Sequence, residues 1–206
     1  MIIRKQFDVE MAHVVRNCSS SRCRLSQHGH SATIELFFES QFLSNNDHML
    51  MDFGLMKQSI KQFIDGMDHC YVFSQQDTEE FKNFHRKYDE RYSGLPFNPS
   101  AEMLTVFIFN MVQRIMDCSE LNNGERNVHL KAVRYHETKS GYAECDANDA
   151  TTLWRKDYAS RLEFSSGVTK DWDTELTKCV NEFIEGKAAR KLFIYPAIKQ
   201  QVNFGD

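Results

Sequence analysis

Cys23-Arg24-Leu25-Ser26-Gln27-His28-Gly29-His30-Ser31-Ala32-Thr33-Ile34-Glu35-Leu36-Phe37-Phe38-Glu39 is the stretch from which both architecture and chemistry follow. Residues 29–40 read as a strand bounded by polar loops. In a strand, residues i and i+2 point to one face, so His28 and His30 share a side. Gly29 between them has no side chain and lets a neighbouring backbone come close. Upstream, Phe7-Asp8-Val9-Glu10-Met11-Ala12-His13 alternates like a strand and ends in a third histidine. Residues 2–13 therefore predict a first strand, 14–27 a polar loop rich in Ser, Arg and Cys, and 29–40 its antiparallel partner. An isolated His-x-His is more often a surface or hydrogen-bonded pair than a metal ligand. With His13 added, three imidazoles can converge on one ion. A three-nitrogen site leaves one zinc position open to water or substrate, as catalytic rather than structural zinc does. Cys23, just outside such a shell, would be a base or nucleophile.

The rest of the sequence sets bounds. Its 206 residues and 41% hydrophobic content suit one globular domain, with room for an extension. That length builds a core without disulfide staples. A formal charge of -4 argues against a general nucleic-acid binder, which normally carries a basic surface. Six cysteines stand at 18, 23, 70, 118, 145 and 179 without a Cys-x-x-Cys pair, so no zinc ribbon or thioredoxin motif is indicated. Met1-Ile2-Ile3-Arg4-Lys5 is unlike a signal peptide, and no apolar run reaches the length of a membrane span. The expectation is a soluble cytoplasmic protein with free thiols and no membrane partner.

Beyond the hairpin, Ser44-Asn45-Asn46-Asp47 is a turn. A helix is predicted at about 54–66, with Leu55, Met56, Ile60, Phe63 and Ile64 on one face and Gly66 at its end. Asp68-His69 follows in a loop, where binding residues concentrate. Residues 76–94 are highly charged and read as a solvated helical insertion. Ser100 can cap a helix over 101–117. Residues 128–138 alternate as a third strand, and Gly141-Tyr142-Ala143-Glu144 begins a fourth. The last sixty residues differ in texture, with a helix suggested at 171–185.

Phe7 to His13, Cys23 to His30, Asp52-Phe53, Asp68-His69, Asn98-Pro99-Ser100-Ala101-Glu102 and Glu137 stand in an order that resembles the 6-pyruvoyltetrahydropterin synthase family. That family includes the 6-carboxytetrahydropterin synthases of the queuosine (7-deazaguanine) pathway. The resemblance covers roughly residues 2–145. It implies an α+β tunnelling fold: a four-stranded antiparallel sheet with two helices on one face. Here this would be a domain over 1–149, interrupted at about 76–94, with a C-terminal extension over 150–206. It further implies a homohexamer built as a dimer of trimers. By position, His13, His28 and His30 match the Zn2+ ligands, Cys23 the catalytic cysteine, and Asp68 and His69 the acid–imidazole pair. Glu137 matches the carboxylate that anchors the pterin, and Glu102 is a further candidate for ring contacts. Four residues separate Cys23 from His28, where the bacterial enzymes usually have three and the animal type five. This spacing does not choose the product.

The implied substrate is 7,8-dihydroneopterin triphosphate. Zinc as a Lewis acid would stabilise charge on its side-chain oxygens and acidify the adjacent C–H. A thiolate within reach could take that proton, and neighbouring cations such as Arg22 and Arg24 would favour the thiolate. Asp68 could orient His69 for proton transfer. A carboxylate at 137 could accept both the amino group and the ring N–H of a pterin. For the triphosphate, Arg16, Arg22 and Arg24 lie near in sequence, and Cys70, Cys118, Cys145 and Cys179 read as inert thiols. The expected activity is that of a zinc-dependent lyase forming 6-carboxytetrahydropterin, acetaldehyde and triphosphate. The alternatives are 6-pyruvoyltetrahydropterin formation, or a non-catalytic pterin- or purine-binding protein on the same fold. The tail's Leu153, Trp154, Phe164, Trp172, Phe193 and Ile194 predict that it packs across a subunit boundary or covers the pocket entrance.

Overall fold

Alternating burial shapes the hairpin at the centre of the molecule. β1 (Ile2–His13) and β2 (His28–Glu39) pair antiparallel along their full lengths, with His13 opposite His28, Ala12 opposite Gly29 and Met11 opposite His30. One face carries Val9, Met11, Ile34, Leu36 and Phe38 into the core. The other is polar, with Thr33 donating to Asp8 and Ser31 to Glu10. In this computed structural model, which describes residues 1–197, the connection between the two strands holds one short helix, α1 (Ser21–Leu25). The part of the expected 150–206 extension beyond 197 lies outside the described residues.

Two helices bring apolar stripes to the buried face. α2 (Ser59–Met67) follows a 3-10 turn at Leu55–Lys57 and buries Ile60, Phe63, Ile64 and Met67. It packs against β1. Next come β3 (Cys70–Ser74), α3 (Glu79–Tyr88) and β4 (Tyr92–Leu95), then α4 (Ala101–Asp117). The Ser100 hydroxyl caps α4 by accepting from Met103 N–H, which satisfies one of the free donors at a helix start. Beyond α4 lie β5 (Ser119–Leu121), β6 (His129–Thr138) and β7 (Gly141–Asp146). β6 pairs antiparallel with β2, β7 with β6, and α4 covers both. The result is an α+β fold with a mostly antiparallel sheet.

The expected count of four strands falls short. Among the described residues the sheet has seven, in the order β7-β6-β2-β1-β3-β4-β8. β3 runs parallel to β1 beside Met11–His13, β4 runs parallel to β3, and a two-residue strand, β8 (Glu163–Phe164), closes the edge. β3 is buried at every position. A strand covered on both faces shows no alternation, so the period-two signal is missing from Cys70-Tyr71-Val72-Phe73-Ser74. Its parallel partner requires a crossover, which α3 supplies. The charged segment 76–94 is thus helical over Glu79–Tyr88, but its last residues enter β4 and one face of the helix is not solvated. Lys82 and His85 are buried there, and the His85 ring stacks on Tyr71 with centroids 3.7 Å apart.

The C-terminal segment folds back onto the rest of the same molecule. α5 (Ala147–Leu153) starts at a capping box formed by Asp146 and Asp149. Then come β8, α6 (Ser166–Thr169), α7 (Thr174–Ile184) and β9 (Phe193–Tyr195), the last pairing parallel with β5. Val168, Trp172, Leu176, Cys179 and Val180 are buried in the same core as the hairpin and α4. Docking is close enough to require glycine at 167, where an added Cβ would lie 2.2 Å from the Glu90 carbonyl oxygen. Among the described residues no helix is long and apolar enough to cross a membrane.

Candidate metal centre and active site

The strand register brings the three histidines together. His13 and His28 face each other across the β1–β2 ladder, and His30 sits two residues along on the same face. Their ring centroids are 4.7, 5.2 and 5.1 Å apart. One nitrogen from each ring can be chosen so that all three lie within 4.8 Å of one another. The backbone fixes which nitrogens are free. His13 Nδ1 lies 2.8 Å from the Pro99 carbonyl and His28 Nδ1 lies 3.0 Å from that of Ser26. A carbonyl only accepts, so each Nδ1 carries the proton and each Nε2 keeps its lone pair, the tautomer a metal ligand needs. The Nε2 atoms of His13 and His30 are buried and have no hydrogen-bond partner among the described residues. Unpaired buried nitrogens of this kind are costly unless something fills the space between them. The donor set therefore fits a metal ion.

The electrostatics agree. Burial, reinforced by the neighbouring His28 and His30, depresses the His13 pKa to about 4, against a smaller opposing effect of the Pro99 hydrogen bond. His13 is thus neutral at pH 7 and able to ligate. Gly29 carries out its expected role in part: an added Cβ would meet the Met11 carbonyl oxygen at 3.2 Å, so the ladder is tight but not closed to a small shift.

Glu137, near the end of β6, reaches the same place. Its Oε1 lies 3.5 Å from His13 Nε2 and 3.7 Å from His30 Nε2. Asp68 and His69 form a second unit at the end of α2. Asp68 Oδ2 is 2.9 Å from His69 Nδ1, and its Oδ1 accepts from Glu10 N–H at 2.8 Å. Burial works against ionisation of Asp68, but these hydrogen bonds outweigh it and hold the carboxyl below its usual range. His69 has a left-handed backbone, φ 56°, and an exposed side chain. It lines an open cleft of about 710 Å³ shared with His30, Glu10, Tyr71, His85 and Arg91.

Cys23 lies half-buried on α1, and its carbonyl accepts from Val15 N–H at 3.0 Å. Among the described residues no hydrogen bond joins its thiol to the three imidazoles, and it is not one of the clustered ligand candidates. Glu102 is exposed in the first turn of α4, where a carboxylate suits the helix dipole, and it makes no hydrogen bond with the other site residues described. Arg16 is occupied: its Nε donates to Asp77 at 2.8 Å and its Nη1 to the Arg24 carbonyl at 3.3 Å. Arg24 donates to the Cys18 carbonyl, and only Arg22 of the three is exposed. Cys70 and Cys145 are buried free thiols whose pKa values burial pushes up to about 12, as inert thiols require.

Sequence reasoning missed the supports. Asn98 holds the Cys23 loop by accepting from Arg16 N–H at 2.9 Å and donating to its carbonyl at 2.6 Å. Pro99 sets the His13 tautomer. The Asn-Pro-Ser run carries a visible helix-start signal, but nothing in it points back to residues 13–16.

Comparison with known proteins identifies the family. The family model described as 6-pyruvoyl tetrahydropterin synthase matches residues 2–148. A protein of Helicobacter pylori named 6-carboxy-5,6,7,8-tetrahydropterin synthase is 36% identical over 174 residues, covering 84% of this chain and 86% of its own. That alignment is longer than the family match and takes in part of the C-terminal segment. A Haemophilus influenzae protein of the same name is 24% identical over 147 residues, 69% of this chain and 96% of its own. Among solved structures, an uncharacterized protein from Wolinella succinogenes superposes with a TM-score of 0.57 at 20% identity, covering 71% of this chain and 98% of its own. The Caenorhabditis elegans 6-pyruvoyl tetrahydropterin synthase gives 0.50 at 16% identity, with 71% and 95% covered. These two show the shared fold. A match over most of the sequence and relatives at this identity establish that the protein belongs to the 6-pyruvoyl tetrahydropterin synthase family.

Proposed function

We propose that this protein is a zinc-dependent 6-carboxy-5,6,7,8-tetrahydropterin synthase. In this reading it converts 7,8-dihydroneopterin triphosphate and one water to 6-carboxytetrahydropterin, acetaldehyde and triphosphate, a step toward 7-deazaguanines. The observation that carries it is the set of three clustered imidazoles at the end of the hairpin, two with buried unpaired Nε2 atoms. The preference for the 6-carboxy product rests on the names of the Helicobacter pylori and Haemophilus influenzae relatives.

His13, His28 and His30 would hold the zinc, which when bound supplies Lewis-acid polarisation of the substrate's side-chain oxygens. Glu137 accepts hydrogen bonds from the pterin amino group and ring N–H and so sets the ring's orientation. Cys23, as a thiolate, takes a proton from carbon in the substrate's side chain. His69 donates or receives a proton at Nε2, while Asp68 holds Nδ1–H and stabilises the imidazolium that results. Asp68 is suited to this because its hydrogen bonds keep it ionised.

The zinc-loaded protein is expected to consume the triphosphate and release a 6-carboxy product, identified by mass spectrometry. A 6-pyruvoyl product would transfer the protein to the other activity of the family. No consumption with zinc bound would overturn the catalytic reading. A second reading, a pterin- or purine-binding protein without catalysis, is favoured by one observation: among the described residues no hydrogen bond joins the Cys23 thiol to the three clustered imidazoles. Tight pterin binding without turnover, unchanged in Cys23→Ala, would establish that reading instead.

A further inference from the structure

The turn that presents His69 is clamped from two sides. On one side, β1 takes the His69 N–H through the Glu10 carbonyl at 2.7 Å and gives its Glu10 N–H to the Asp68 carboxylate at 2.8 Å. On the other side is Arg91, whose side chain is 17% exposed. Its Nε donates to the Asp68 carbonyl at 2.7 Å. The peptide unit between Asp68 and His69 is thus pinned at both its oxygen and its N–H.

Arg91 does more than hold one carbonyl. Its Nη2 lies 2.9 Å from the carbonyls of both Asp65 and Gly66, and its Nη1 donates to the Gly167 carbonyl at 2.6 Å. The Asp171 carboxylate lies 2.9 Å from Nη2 and balances the charge. The last carbonyls of a helix have no partner within it. Here one planar guanidinium gathers those at the end of α2, the turn that follows and the start of α6. A compact ammonium cannot match that fan of donors. Arg91 is itself fixed, since its carbonyl accepts from Tyr71 N–H at 3.0 Å. His69 needs such support, because a non-glycine residue with φ near +56° persists only where its surroundings over-determine it.

We infer that Arg91 is a positioning residue for His69, and that Gly167 and Asp171 of the C-terminal segment complete its clamp. Arg91 lies in the charged segment 76–94, and two of its partners, Gly167 and Asp171, lie beyond residue 148, so two segments outside the four-stranded pattern are tied to the catalytic turn. The inference rests on the proposed function, in which His69 carries a proton.

Two measurements test it on the zinc-loaded full-length protein. The first is turnover of 7,8-dihydroneopterin triphosphate by Arg91→Lys, His69→Asn and the double variant. Misplacing a catalytic group by about an ångström lowers rates by up to about a hundredfold. Arg91→Lys is expected to lose about tenfold or more in kcat while KM stays within about twofold. In the His69→Asn background the same change is expected to cost nothing further in residual kcat. Unchanged kcat in Arg91→Lys, or an equal loss in both backgrounds, overturns the inference. The second is hydrogen–deuterium exchange, which needs no activity. Peptides spanning 65–71 are expected to exchange faster in Arg91→Lys while those within 104–112 keep their protection. Unchanged exchange at 65–71 overturns the inference whatever the turnover. An inactive wild-type protein would instead sink the proposed function, with exchange still deciding whether Arg91 sets the turn.

Discussion

At the scale of single residues, His13 shows how burial and chemistry are coupled. Its ring is 3% exposed, its Nδ1 is committed to Pro99, and burial holds its pKa near 4 against 6.5 for a free imidazole. The folded protein therefore binds fewer protons than the unfolded polypeptide between those values. Its contribution is complete above about pH 6.5 and is lost as the pH falls toward 4, because protonation then favours unfolding. One pKa unit is worth about 1.36 kcal/mol, so the metal-free protein is expected to lose roughly 2 kcal/mol through this residue between pH 6.5 and 5. Urea unfolding of metal-free wild type and His13→Gln at both pH values checks this. The gap between the two should narrow by that amount, and parallel pH dependences would contradict it. The residue types and spacings that make the centre were legible in sequence. The orientation of each ring was not, because it depends on carbonyls of Ser26 and Pro99, the latter 86 residues from His13.

At the scale of elements, long helices and exposed-face strands read clearly. β1 and the helix at 101–117 match their predicted bounds to the residue, and β2, β6 and α7 come within a few. These elements have one buried face, so polarity alternates with their own period. β3 did not read, since burial on both faces erases that alternation. The docking of α6 depended on one atom that is missing. Gly167→Ala would place a Cβ against the Glu90 backbone oxygen, which has no rotamer by which to move away. Overpacking of this kind costs about 1–3 kcal/mol, more than the gain of up to about 1 kcal/mol from alanine's helix propensity. A lowered urea midpoint with an unchanged slope is the expected result. A midpoint equal to wild type would show that α6 is not seated against β4 as described.

At the scale of the whole molecule, the sheet leaves hydrogen-bonding edges for another copy. β3 pairs with β1 only at Met11–His13, and among the described residues the outer edge of β7 has no strand beside it. Unpaired edges attract partners, and two different edges on one subunit generate a ring when the rotation closes. A hexamer of two stacked trimers remains the proposed assembly, and native mass spectrometry is expected to return a mass in multiples of three subunits. A monomer with full activity at micromolar concentration would refute it. The same scale separates what the sequence by itself determined from what required the fold. Local periodicity and spacing determined the hairpin, the helix at 101–117 and the meeting of three imidazoles, because each depends on residues neighbouring along one strand or across one ladder. Only the tertiary structure decided that the charged segment 76–94 and the tail brace the Asp68–His69 turn through Arg91, Gly167 and Asp171. Those contacts join side chains to carbonyls and a carboxylate as far as from Arg91 to Asp171 along the sequence, and a backbone carbonyl carries no mark in the sequence of what will bond to it.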